Sequence, residues 1–141
     1  MLRHGLFGAA VVGLLLGVVG CGGSEEVKGR TSPDRTISET RMFLELLRDR
    51  RLDAADFIPA QDNALGMATQ LIHEMLPYSM SRKLASADAR QRAEPLVEQV
   101  RKTFDDEVYA PLMGAEPDVG RARTGIEQCL HALGELEAAI R

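Results

Sequence analysis

Residues 118–140 read DVGRARTGIEQCLHALGELEAAI, and their spacing decides the fold. Val119, Ala122, Ile126, Cys129, Leu133, Leu136 and Ile140 follow one another by alternating steps of three and four. An α-helix turns once in about 3.6 residues, so these side chains form one apolar seam along a single face. Asp118 stands where a carboxylate accepts from the free amides of a first helical turn. Gly120, Gly125 and Gly134 each weaken the helix by about 1 kcal/mol relative to Ala, so packing against other elements must hold it. At about 1.5 Å per residue the helix is about 35 Å long.

Upstream segments carry the same signal. Thr36-Ile37-Ser38-Glu39 has the form of a capping box, and Ile37, Thr40, Phe43, Leu44 and Leu47 continue from it as a helical stripe. A second helix is predicted from about Pro59 to Leu76, stopped by Pro77, with Ala64, Leu65, Ala68, Leu71, Ile72, Met75 and Leu76 on its apolar face. Residues 81–93 read as a weakly amphipathic helix. Pro95 then occupies the first turn of a new helix or kinks a continuous one. Leu96, Val97, Val100, Phe104 and Val108 line one side of that segment, which is expected to end before Pro111. No strand-length alternation occurs outside the N-terminal region. The expected fold is all-α, a four-helix-bundle-like domain over residues 36–141.

The N-terminus carries a different message. Met1-Leu2-Arg3-His4 has one positive charge, and Leu6–Val19 is an uncharged apolar run of about fourteen residues. That length suits a secretory signal and is short of the roughly 20 residues of a membrane span. Val18-Val19-Gly20-Cys21 follows, and this tetrad resembles the lipobox of bacterial lipoprotein precursors. The resemblance implies cleavage after Gly20, diacylglyceryl transfer to the Cys21 thiol and acylation, such as palmitate, of the new amino group. Two chains anchor stably where one anchors marginally, at about 0.8 kcal/mol per buried CH₂. The implied location is the cell membrane or outer membrane, facing periplasm or exterior; Gly22 rather than Asp after Cys21 favours the outer membrane by analogy with enterobacterial sorting. Residues 1–20 are thus read as signal peptide and residues 21–35 as lipidated Cys and flexible linker, a coil with a reach of about 20 Å.

Removing residues 1–20 from the 141 leaves 121, one domain's length, and shifts the formal charge from −4 to −5 because Arg3 goes with them. That acidity argues against nucleic acid and against a polybasic membrane-surface role. With Cys21 lipidated, Cys129 has no partner for an internal disulfide.

One stretch points elsewhere. Ser38–Ala55 resembles the opening helix of secreted NTF2-like domains, with Phe43-Leu44 at its centre and Ala54-Ala55 in the short segment after it. The resemblance implies a curved antiparallel sheet downstream, for which the sequence offers no period-two runs.

Motifs that carry chemistry are incomplete. His73-Glu74-Met75-Leu76-Pro77 begins like the zinc-protease H-E-x-x-H, but Pro77 stands where the second histidine must be. Cys129-Leu130-His131 lacks the first cysteine of a haem attachment motif, since position 127 is Glu127. In the seam's register Cys129 faces the core and His131 the solvent, flanked by Glu127 and Glu135. Met42, Met67, Met75, Met80 and Met113 form no M-x-M or M-x-x-M cluster, and Met67 and Met75 read as core filler. Asp105-Asp106-Glu107 lacks the alternation and glycine of a calcium loop. Ser79 and Ser81 lack a G-x-S-x-G context. Arg48, Arg50, Arg51, Arg82 and Lys83 are interspersed with acids, as on a solvated face. No catalytic, cofactor or metal residue is assigned. The expectation is a lipid-anchored, non-catalytic interaction or structural module of the cell envelope with a protein partner; the alternative is a small bundle binding haem b or a transition metal.

Overall fold

A computed structural model describes residues 32–141, and its helices join into four rods. The expected signal peptide, the expected lipidation at Cys21 and the expected linker up to residue 31 lie outside the described residues. α1 is Pro33–Asp49. α2 runs over residues 63–82 as Asn63–Gln70, a π-turn at Leu71–Met75, and Leu76–Arg82. α3 runs over residues 87–113 as Ala87–Phe104, a π-turn at Asp105–Tyr109, and Ala110–Met113. α4 is Val119–Ala139, and a 3₁₀ turn at Pro59–Gln61 precedes α2. Among the described residues there is no strand, so the sheet of the NTF2-like resemblance is not formed. None of these helices is long and apolar enough to cross a membrane.

Each rod packs against two others: α1 on α2 and α4, α3 on α2 and α4. Arg41 pairs with Glu137, and Arg48 with Glu127 at 3.7 Å, so numbers rise along α1 as they fall along α4. The two helices are therefore antiparallel. The links at residues 83–86 and 114–118 are short, as antiparallel neighbours require. The all-α four-helix bundle expected from the sequence is the observed architecture. Its centre holds Leu44, Leu47, Ile72, Leu76, Val100, Phe104, Ile126, Leu133 and Leu136, all without exposed surface. Burial of such side chains contributes about 1.5–3 kcal/mol each before conformational entropy is set against it.

Two helix starts differ from expectation. α1 begins at Pro33, upstream of Thr36, with Ser32 in extended conformation ahead of it. Proline needs no donor partner in a first turn, so the helix starts there. Thr36 is then interior, and its hydroxyl donates to the Ser32 carbonyl at 2.9 Å. Glu39 accepts from Arg35 at 2.8 Å instead of closing a capping box. α2 starts at Asn63, where the Asp62 carboxylate accepts from the Leu65 amide at 2.9 Å.

The largest departure concerns the prolines. Pro77 does not stop α2, and Pro111 does not stop α3. Each lies two residues beyond a π-turn, in which the Leu76 amide bonds the Leu71 carbonyl and the Ala110 amide bonds that of Asp105. A proline has no N–H, and its ring crowds the carbonyl four residues back. A wider turn just before it relieves both problems, so the rod continues. Pro95 sits inside α3 with no break, which selects the continuous helix of the two readings. Residues 83–86, by contrast, interrupt the helix expected over 81–93 and let α2 turn into α3, which Ser86 caps through the Ala89 amide at 3.3 Å.

α4 follows its seam. Asp118 accepts from the Arg121 amide at 3.0 Å, and Ala122, Ile126, Cys129, Leu133 and Leu136 are buried. Gly125 and Ala132 are buried as well and widen the seam on one side. A Cβ on Gly125 would lie 2.5 Å from the Glu107 carbonyl oxygen, inside the π-turn of α3. Nothing lies within 4 Å of a Cβ on Gly66 or Gly134.

These glycines should therefore respond in opposite senses to one substitution. Gly125→Ala must push α4 off the α3 backbone and should cost about 1–3 kcal/mol. Gly66→Ala and Gly134→Ala should each stabilise by about 0.5–1 kcal/mol through helix propensity. Urea unfolding followed by circular dichroism at 222 nm measures all three. A neutral Gly125→Ala would mean that the helices do not meet there.

Candidate functional site

Two π-turns in one small domain are uncommon, and such turns concentrate at functional sites. The structure brings them together through one contact. His73, in the first, lies with Nε2 2.6 Å from Oδ1 of Asp105, the opening residue of the second. With an ionised carboxylate as acceptor, Nε2–H is the donor and Nδ1 remains for solvent or a ligand. The two side chains are 36% and 42% exposed, so the contact is a partly solvated clasp between α2 and α3.

From this clasp a groove of about 1080 Å³ extends between the two helices. Pro77, Tyr78, Met80 and Ser81 line it from α2. Pro95 and Val97 line it from α3, together with Arg90, Glu94, Glu98 and Arg101. Met80 and Val97 are buried at its floor, while Tyr78 keeps 48% of its surface exposed. Arg90 donates to the Leu84 carbonyl at 2.6 Å, and Arg101 to Glu98 at 2.7 Å. The Arg101 hydrogen bond holds the Glu98 carboxyl below the usual carboxylate range. The Ser81 hydroxyl donates to the Tyr78 carbonyl at 3.2 Å. Pro77 and Pro95 have no N–H to offer the carbonyls four residues before them, those of His73 and Gln91, and both of these residues also line the groove.

The remaining candidates lie apart. Cys129 is fully buried; its thiol faces the Val100 carbonyl at 3.9 Å and is pushed up to about 12 by burial, with the Asp105 charge adding to the effect. His131 is 78% exposed beside Glu135 at 3.4 Å, whereas Glu127 turns to Arg48. It borders a shallow polar groove of about 470 Å³ with Gln99, Thr103, Thr124 and Gln128. Met67 is 39% exposed, not core filler, and Met75 is half-buried; the methionine that fills the core is Met80. Ser79 is buried. Arg50 pairs with Asp62 at 3.3 Å, and Arg48 also holds Asp49 at 3.2 Å. Among the described residues, no three His, Cys, Asp or Glu side chains converge as a metal ion would need.

The acidic run 105–107 has a role that its composition did not announce. Asp105 holds His73, Asp106 meets Lys102 at 3.3 Å, and Glu107 takes Arg121 of α4 through two bonds of 2.7 and 3.2 Å. Sequence separation hid the His73–Asp105 and Glu107–Arg121 links, 32 and 14 residues apart, because they depend on how far each rod has rotated. No family model, curated protein or solved structure matches the chain.

Two outcomes follow from these groups. The Cys129 thiol should stay unmodified by a maleimide or an aromatic disulfide reagent at pH 8 in folded protein and react fully in urea. Rapid labelling without denaturant would contradict its burial. The carboxyls of Glu98, Glu107 and Glu137 are lowered by hydrogen bonds from Arg101, Arg121 and Arg41 respectively. A lowered folded-state value contributes stability that is present above the ordinary carboxylate range and lost as pH falls through the folded-state values. The thermal midpoint should therefore hold level from pH 8 to about 5 and fall below about pH 4. A triple Arg41→Gln, Arg101→Gln, Arg121→Gln variant should fall less steeply with acid, and a parallel fall would remove these pairs from the account.

Proposed function

We propose that this chain is a lipid-anchored protein of the bacterial cell envelope whose helical domain docks a partner protein without doing chemistry itself. The tetrad Val18-Val19-Gly20-Cys21 supports the anchor. The groove from the His73–Asp105 clasp to Arg90 carries the docking role. It sets an exposed tyrosine and two prolines over a buried apolar floor. A partner segment that covers apolar surface suits such a lining. Exposed aromatic surface beside a rigid floor is also where interface energy concentrates.

Anchoring and docking are tested separately. Mass spectrometry of protein from a bacterial host should find diacylglycerol on Cys21 and no residues 1–20, and Cys21→Ala should leave the membrane fraction. An unmodified sulfur, or a variant that still sediments with membranes, rejects the anchor. For docking, a photo-crosslinking amino acid placed at Tyr78 or Gln91 in living cells should capture one discrete partner, while the same group at Gly134 captures none. Equal yields at the three positions, or none at any, reject the groove as the docking face.

A further inference from the structure

We draw no further inference here: the strongest candidate, the groove between α2 and α3, belongs to the site already described, and its rim sets Arg90 and Arg101 against Glu94 and Glu98 in equal measure, so nothing in the structure shows what covers it.

Discussion

The bundle depends on a mismatch between two periods. In α2, Ala64, Ala68, Ile72, Leu76 and Met80 are all buried, and in α3 so are Val100, Phe104, Val108 and Leu112. Each series advances by four residues, whereas a regular α-helix turns once in about 3.6. Every such step carries the side chain about 40° past the preceding one, so three or four steps would take a straight α-helix's apolar row well off the core. One extra residue in a turn takes back about 100° of that drift. The π-turns at Leu71–Met75 and Asp105–Tyr109 are those extra residues. Without them Met80 and Leu112 would swing toward solvent, and the C-terminal ends of α2 and α3 would lose their core.

The prolines and the π-turns are two sides of one arrangement. Pro77 and Pro111 occupy equivalent places beyond their π-turns, and each has no amide to offer the carbonyl four residues earlier. In α3 that carbonyl belongs to Glu107, and its oxygen is the atom against which Gly125 of α4 packs. A side chain at 125 would hold the helices apart at the turn where their rotation has just been corrected. The Glu107 side chain then closes the same junction through Arg121. Glycine in the middle of a helix, unfavourable by propensity, is explained by this close approach.

Much of the fold could be read from the sequence, and its errors share a cause. The α4 seam, the α1 stripe and the apolar faces of α2 and α3 stand in the structure as their spacing implied. The helix ends expected at Pro77 and Pro111 do not form, because the rows of four residues run through both prolines. Those rows were visible: Ile72, Leu76 and Met80 straddle Pro77, and Val108 and Leu112 straddle Pro111. The His73–Asp105 clasp had no comparable local signal. Its two halves lie 32 residues apart on different rods, and a change of one residue in either rod rotates a side chain by about 100°. Cys129 needed no such correction, because α4 is a regular helix and its register could be counted.

The candidate site arises from the same geometry. A helix interior normally hides its backbone acceptors in its own hydrogen bonds, so a groove between two helices offers a partner side chains alone. Prolines at 77 and 95 have no amide to offer the carbonyls of His73 and Gln91, one on each wall. The π-turn before Pro77 also carries His73 to the mouth of the groove, where Asp105 fixes its ring. The π-turn that lets α2 run through Pro77 is thus also the one that holds the groove's clasp. A regular α2 without Pro77 would bond the His73 carbonyl to the amide at position 77 and rotate the residues beyond it. The most site-like part of this surface is therefore a consequence of how the core is kept in register.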